Sequence, residues 1–341
     1  MLIKSRILTS GFAIIALTVL LSLKKENSRA QNFTKWANLQ DALPQTQLNA
    51  APLLLHFYAD SSESCQMMLD SVYNNIGIAG YVKDFAIAVR FNIYSKDTVN
   101  YLDKIYIPKS SGTEIHPFAR LFKENINELP LTVILSDYDK KSNNYKLQLV
   151  KSGYISPRNF QPLIVYPVEQ VSKNCSLIDF SQAFDNCFYD SITANASRNV
   201  KWLAPAEGFQ TSSFGKKTLV FLYTDYCTSC TVMKRAVFPD SNVQEKTDAY
   251  FKLIEFNTEI SDTIYFDNQV SVKTGKNHQL AMALLKENFF IPAISIVDEN
   301  NMLIAVLTRF IPANFLVDIL EYYGGNHYKT KTWEEFIQEE N

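Results

Sequence analysis

The sequence predicts an α/β protein made of two tandem copies of one fold, each a mixed central sheet flanked by helices, after a hydrophobic N-terminal segment. Two observations predict this class: strand-like apolar runs alternate with helical patterns, and an internal repeat covers most of the chain. The length of 341 residues agrees, because it suffices for about two domains of ordinary size. A net charge of -2, with Lys and Arg scattered rather than clustered, argues against nucleic-acid binding.

Residues 1–30 have the pattern of an export signal. Two basic residues precede an uncharged, mostly apolar stretch at 7–23, and the small residues Ser28 and Ala30 follow it. The alternative is an uncleaved signal anchor, because the apolar stretch falls within the length range of a membrane-spanning helix. Both interpretations place the rest of the protein outside the cytoplasm, periplasmic or secreted, and the second anchors it to the membrane through residues 7–23.

The two copies are expected at residues 31–168 and 199–325. A shift of 165 residues, the separation of Cys65 from Cys230, superimposes the first copy on the second. The shift matches Leu54, Tyr58, Asp60, Ser64, Cys65, Met68 and Val72 with Leu219, Tyr223, Asp225, Ser229, Cys230, Met233 and Val237. Further matches keep the same order with small drift, among them Trp36 with Trp202, Pro130 with Pro292 and Phe160 with Phe315. A collinear series of this kind indicates two copies of one fold.

Residues 169–198 form the predicted connector, and residues 326–341 form a C-terminal tail. Cys175 and Cys187 lie in the connector and flank a segment with a helix-like apolar pattern. In an oxidising compartment this pair is expected to form a structural disulfide, and the alternative is two unpaired buried thiols. No metal site is expected, because one close cysteine pair without a second pair or suitably spaced His supplies too few ligands for zinc.

The second copy shows the order strand, helix, strand, helix, strand, strand, helix. The β-rich apolar run at 218–224 is typical of a buried central strand, and apolar residues at helical spacing follow Cys230. The remaining elements are a strand at 251–256, a helix at 278–288, strands at 293–297 and 302–308, and a last helix from Pro312 to just before Gly324. This order predicts a mixed sheet between helices.

The segment Cys227-Thr-Ser-Cys230 stands where the first strand of this copy passes into a helix. Thiol-disulfide exchange requires an attacking thiolate and a nearby second thiol that resolves the mixed disulfide. The amides at a helix N-terminus favour negative charge on the first sulfur. We therefore expect Cys227 to be the nucleophile and Cys230, one turn along and more covered, to be the resolving thiol.

The first copy has lost the attacking thiol, because Ser62 occupies the place of Cys227. Cys65 matches Cys230 and cannot form a disulfide with a serine, so dithiol catalysis is excluded in this copy. Three roles stay open for it: client binding in a groove beside Pro130, docking to a partner, or a lone thiol that oxidises in trans. The alternative for Cys65 is an inert buried thiol. His56, on the buried strand, is expected to be a core residue rather than a catalyst.

These residues resemble the thioredoxin superfamily, and specifically its exported thioredoxin-like branch. In each copy the resemblance covers a leading Trp, an aromatic-rich strand, the dithiol or its remnant at a helix start, and an Ile-Pro or Leu-Pro before a strand. The C-terminal tail is also similar to extensions of that branch. The resemblance implies that Pro292 is a cis proline beside the dithiol, where the backbone of Ile291 pairs with an extended client segment. Tyr226 stands where the family commonly has Trp, and we expect it to contact the client.

Two departures from the family pattern bear on activity. Phe221 replaces a buried carboxylate that helps to move the proton of the resolving thiol in thioredoxins, and Thr228-Ser229 replaces the familiar Gly-Pro pair. The resemblance implies an extracytoplasmic thiol-disulfide oxidoreductase, by analogy a reductase, that needs no cofactor. Its partners would be protein thiols and disulfides and a membrane-bound dithiol electron carrier. Two alternatives stay open, namely a non-catalytic binding or chaperone-like protein and a disulfide isomerase.

Overall fold

The computed structural model describes residues 34–49, 51–109, 114–191, 199–211, 215–286 and 289–340. The predicted signal or anchor segment, residues 1–30, lies outside the described residues. Within the described ranges, the structure contains no helix with the length and apolar character needed to span a membrane.

The described residues divide into two compact units, with the boundary between Pro157 and Arg158. The sequence placed residues 158–168 in the first copy and treated residues 169–198 as a separate connector. In the structure residues 158–168 and the described part of the connector, residues 169–191, fall within the second unit. The second unit is therefore larger than the second sequence repeat.

The first unit holds the strands β1 (Trp36–Ala37), β2 (Leu53–Tyr58), β3 (Ile87–Asn92), β4 (Val99–Tyr101), β5 (Lys104–Tyr106), β6 (Leu131–Asp139) and β7 (Asn144–Ser152). Its helices are α1 (Leu39–Asn49), α2 (Glu63–Met68), α3 (Ile76–Phe85) and α4 (Pro117–Arg120). A π-helical turn at Leu69–Tyr73 continues α2.

The main sheet of the first unit has the strand order β1-β3-β2-β6-β7. Strands β1, β3 and β2 are parallel, whereas β6 runs antiparallel to β2, and β7 antiparallel to β6. Strand β2 is buried at every residue except Tyr58, as its central place in the sheet requires. The apolar cluster on one face of this sheet includes Phe57, Phe118 and Leu131.

The second unit begins with the helices α5 (Pro157–Val168), which starts at the boundary, α6 (Leu177–Tyr189) and α7 (Pro205–Gly208). There follow β8 (Lys217–Tyr223), α8 (Thr228–Val232), α9 (Ser241–Tyr250), β9 (Phe251–Asn257), β10 (Ile264–Phe266), β11 (Gln269–Ser271), β12 (Lys273–Thr274) and β13 (Asn277–His278). The last elements are α10 (Gln279–Leu284), β14 (Ala293–Val297), β15 (Leu303–Thr308), α11 (Ala313–Gly324) and α12 (Trp333–Glu340). A π-helical turn at Met233–Val237 continues α8.

The sheet of the second unit repeats the first in order and direction. Its strands are arranged β9-β8-β14-β15, with β8 parallel to β9 and β14 antiparallel to both β8 and β15. At the outer edge Leu203 forms an isolated parallel bridge to Ile254, in the place where β1 pairs with β3 in the first unit. The structure therefore confirms the predicted mixed α/β fold, with a sheet of thioredoxin type in each unit.

The strands predicted in the second copy are confirmed to within one residue, and the helix predicted from Pro312 is α11, which ends one residue later than expected, at Gly324. The helix α12 in the C-terminal tail was not predicted. The helix predicted at 278–288 starts one residue later and is shorter, with α10 covering Gln279–Leu284. Two short hairpins, β10 with β11 and β12 with β13, lie between β9 and α10 and were not predicted.

Candidate redox site

The central strand β8 leads directly to the dithiol, and Cys227 is the N-cap residue of α8. Its backbone is extended (φ -86°, ψ 109°), and its Sγ accepts a hydrogen bond from the Cys230 amide at 3.1 Å. Cys227 and Cys230 form a disulfide with a Cα–Cα distance of 5.2 Å. Both are covered, with exposed fractions of 6% and 2%. The predicted pair is therefore assembled at the start of the helix, and both sulfur-bearing residues are buried.

The Ile291-Pro292 peptide bond is cis, as predicted. Pro292 immediately precedes β14, whose first residue, Ala293, lies opposite Leu222 near the end of β8. The start of β14, which follows Pro292, and the end of β8, which leads to the dithiol, therefore lie side by side at the same end of the sheet. The Pro292 carbonyl accepts a hydrogen bond from the Arg309 amide at 2.6 Å.

Tyr226 is the exposed aromatic residue of the site, with 42% of its surface accessible. Its hydroxyl donates to Glu259 Oε1 at 3.0 Å, and the Lys276 ammonium lies 4.8 Å from its ring centroid. Lys276 also forms an ion pair with Glu259 at 3.4 Å. These contacts hold the ring in a defined orientation beside the dithiol. Its predicted contact with a client stays a prediction.

Glu169 contacts the dithiol and was not predicted as a site residue. It follows α5, and its two carboxylate oxygens accept hydrogen bonds from the amides of Thr228 (3.0 Å) and Ser229 (2.6 Å). Its Oε2 lies 3.9 Å from Cys227 Sγ. No local spacing rule links a residue so far upstream to the dithiol, so only the folded chain shows this contact.

The next residue, Gln170, contacts Arg309, the residue whose amide donates to the carbonyl of the cis proline Pro292. Its side-chain oxygen accepts two hydrogen bonds from the Arg309 guanidinium, at 3.1 and 3.0 Å. That guanidinium in turn lies over the ring of Phe290 at 4.0 Å. Glu169 thus contacts the first turn of α8, and Gln170 contacts Arg309, which follows β15 and whose amide donates to the Pro292 carbonyl.

The predicted disulfide between Cys175 and Cys187 is wrong, because both residues are unpaired buried thiols. Cys175 precedes α6, and Cys187 lies near its C-terminal end. Twelve residues of helix separate them by roughly 18 Å, whereas disulfide formation needs Cα atoms within about 7 Å. Burial raises the pKa of each thiol to about 12, so neither has thiolate character at neutral pH.

The first unit keeps the same local geometry without the first thiol. Ser62 is the N-cap of α2, and its hydroxyl accepts the Cys65 amide at 3.4 Å, as the Cys227 sulfur accepts the Cys230 amide. Cys65 is buried and unpaired. The Leu129-Pro130 bond is also cis, and the Leu129 carbonyl accepts a hydrogen bond from the Ser64 hydroxyl at 2.7 Å. A serine thus supplies the helix cap that a thiol supplies in the second unit.

Beneath each site lies a matched aromatic cluster. In the second unit Phe221 contacts Trp202 and Phe238. In the first unit His56 takes the place of Phe221, and its ring is fully buried. Burial first, and the nearby Arg90 charge second, lower the pKa of His56 to about 3, so the ring is neutral. This environment agrees with the prediction of a core histidine.

The described ranges contain no group of three or more His, Cys, Asp or Glu side chains arranged to hold a metal ion.

No protein-family model matches the chain, and no curated protein matches it. Among solved structures, the chain is similar to a thioredoxin-fold protein from Helicobacter pylori at 18% identity, covering 39% of this chain and 87% of that chain with a TM-score of 0.31. It is similar to a thioredoxin from Thermus thermophilus at 15% identity, covering 40% and 88% of the two chains with a TM-score of 0.30. A DsbH oxidoreductase matches at 13% identity over 39% and 84%, with a TM-score of 0.26.

These similarities are too distant to assign an activity. The fold follows instead from the strand order and directions, the cis prolines and the position of the dithiol. By these features the chain has a thioredoxin-type fold in both of its units.

Proposed function

We propose that this protein is an extracytoplasmic thiol-disulfide oxidoreductase that acts as a reductase through Cys227 and Cys230. The observation that carries the proposal is the disulfide at the start of α8, at the same end of the sheet as the cis proline Pro292. A sulfur pair placed at a helix N-terminus favours thiolate formation on the first cysteine, and a partner three residues along can resolve a mixed disulfide.

In the reduced protein, the Cys227 thiolate attacks one sulfur of a client disulfide and releases the other as a thiolate. The Cys230 thiolate then attacks Cys227 Sγ, which breaks the mixed disulfide and releases the second client sulfur. Two electrons and two protons pass to the client, and the Cys227–Cys230 disulfide forms. A dithiol partner must return two electrons to close the cycle, and we propose a membrane-bound dithiol carrier for that role.

Client recognition would involve Tyr226 and the backbone of Ile291. Tyr226 presents an exposed aromatic surface beside the sulfurs. Ile291 precedes the cis proline just before β14 begins, and there its backbone could pair with an extended peptide. The extracytoplasmic location rests on the signal-like pattern of residues 1–30.

The first unit is proposed as a client-binding or partner-binding module. It retains the scaffold, the helix cap at Ser62 and the cis Pro130, but it lacks the thiol that starts exchange. Cys65 has no second cysteine beside it, so the module would act by binding rather than by dithiol exchange.

Insulin reduction by the full-length protein tests the catalytic role. Wild type should reduce insulin in the presence of a dithiol donor, Cys227→Ser should lose the activity, and Cys65→Ser should keep it. Equal activity of wild type and Cys227→Ser would end the enzymatic interpretation and leave the binding class. Rescue of scrambled ribonuclease by wild type would point to an isomerase instead.

The direction of electron flow is tested separately by equilibrating the dithiol with glutathione buffers. A reductase should have a potential more negative than that of glutathione. A potential well above it would identify an oxidant.

A further inference from the structure

The carboxylate of Glu169 occupies the amides that a Cys227 thiolate would need. The amides of Thr228 and Ser229 donate to Glu169, and among the described residues the amide that donates to Cys227 Sγ is that of Cys230. In a dithiol at a helix start, such first-turn amides stabilise the sulfur anion. Here the carboxylate takes two of them while the pair is oxidised.

The distance of 3.9 Å between Glu169 Oε2 and Cys227 Sγ has a consequence after reduction. A carboxylate and a thiolate this close disfavour each other's ionisation, as in other pairs of like charges. A thiol at Cys227 can instead donate its hydrogen to Oε2. The reduced site therefore favours one negative charge and one proton shared between the two side chains.

Resting on the oxidoreductase function proposed above, we propose that Glu169 is a further residue of the redox site. Its carboxylate holds the proton of reduced Cys227 and thereby sets the redox equilibrium of the dithiol. When the proton moves from Sγ to Oε2, the carboxylate becomes a neutral acid and the sulfur becomes the anion. The amides of Thr228 and Ser229 are then released to the thiolate. Charge and protons balance within the pair, and no co-reactant is needed.

Other titratable groups surround the dithiol and must be separated from this effect. Cys230 shares a surface pocket with Asp225, Lys234 and Arg235 and with the Tyr223 hydroxyl. Tyr226 precedes the pair, with Glu259 and Lys276 beyond it. Arg309 lies on the other side through Gln170, and Cys187 Sγ contacts the Thr231 carbonyl at 3.7 Å. Of all these groups, Glu169 is the carboxylate bonded to the first-turn amides.

The test compares full-length wild type with Glu169→Gln, which keeps the shape and one acceptor but removes the charge. Reduced protein is alkylated with iodoacetamide from pH 4 to pH 10, and Cys227 is followed by peptide-resolved mass spectrometry. The midpoint for Cys227 should fall by at least about one pH unit in Glu169→Gln. The equilibrium constant against glutathione should shift about tenfold towards the reduced protein, which equals about 30 mV.

Asp225→Asn is the matched control, because it removes one negative charge two residues before Cys227. Unchanged midpoint and equilibrium in Glu169→Gln, or an equal shift in Asp225→Asn, would overturn the proposal. Should Glu169→Gln fail to fold, Glu169→Asp, which keeps the charge but withdraws it, should give a smaller shift in the same direction. A wild type that does not exchange with glutathione at all would instead refute the proposed function.

Discussion

The two units differ at single positions within a shared fold, and the aromatic clusters beneath the two sites show this most clearly. The ring centroids of Trp36 and Tyr73 lie 4.8 Å apart, as do those of Trp202 and Phe238. Where the second unit has purely apolar rings, the first has His56 hydrogen-bonded through Nδ1 to the Tyr73 hydroxyl at 3.2 Å. The same fold thus accommodates a titratable pair, His56 and Tyr73, at positions that hold two phenylalanines in the second unit.

This substitution should make the first unit acid-sensitive. His56 has a folded pKa of about 3, below its unfolded value of 6.5, so the unfolded chain binds the proton more readily. The contribution to stability is full above about pH 6.5 and is lost as the pH falls towards 3. At pH 5 the loss is about 2 kcal/mol. Urea unfolding at pH 7 and pH 5 measures it.

The double variant His56→Phe with Tyr73→Phe is the matched control, because it reproduces the cluster of the second unit. It should keep the fold and lose most of the difference in stability between pH 7 and pH 5. An unchanged pH dependence in the double variant would show that His56 is not its source.

At the level of elements, the central strands were predictable because a strand buried on both faces is a continuous apolar run. The hairpin of β10 and β11 was missed, since each strand has three residues and little alternation. Its turn residues, Asp267 and Asn268, both have positive φ, as a two-residue hairpin turn requires. That dipeptide was the available signal.

The contact of Glu169 with α8 could not be predicted, because it joins segments whose separation follows no local rule. The expected disulfide failed for a local reason, since a regular helix holds its ends apart. Sequence patterns therefore located the dithiol, and the family resemblance implied the cis Pro292, but neither indicated the carboxylate beside Cys227.

A matched pair of helix caps was also missed. His116 Nδ1 accepts the Phe118 amide, and His278 Nδ1 accepts the Leu280 amide, at 3.1 and 3.2 Å. In each case Nε2 lies near a loop carbonyl, that of Asp97 at 2.9 Å and that of Asp262 at 3.0 Å. The acceptor role of Nδ1 places the proton on Nε2, so each histidine joins a short helix to a loop earlier in the chain, the one that follows β3 or β9.

Removing the second cap should destabilise the second unit. His278→Ala loses the cap and the bond to the Asp262 carbonyl, which together amount to roughly 2 kcal/mol. His278→Asn should recover part of this, because its shorter side chain can still accept the Leu280 amide. Thermal and urea unfolding of the full-length variants measure both. His327→Ala is the control. His327 is half-buried, and the contact described at its ring nitrogens is an ion pair with the Glu321 carboxylate. An equal loss of stability in His327→Ala would contradict the capping role of His278.

At the scale of the whole molecule, the connector is part of the second unit rather than a linker. Phe180 of α6 is fully buried and contacts Phe310, with ring centroids 5.1 Å apart. The Asn174 side chain donates to the Thr308 carbonyl at 2.9 Å, beside the site. The redox unit therefore needs residues that lie before its sequence repeat.

Two fragments test whether the second unit needs the connector for its stability. A fragment of residues 158–341 contains the connector helices and should fold cooperatively with the Cys227–Cys230 site intact. A fragment of residues 199–341 follows the sequence repeat but loses α6, and each buried Phe that it removes contributes about 1.5–3 kcal/mol. Because a domain is stable by only about 5–15 kcal/mol, the shorter fragment should unfold at a markedly lower temperature or aggregate. Circular dichroism melts of both decide the matter, and equal melting temperatures would show that the connector is dispensable to the second unit.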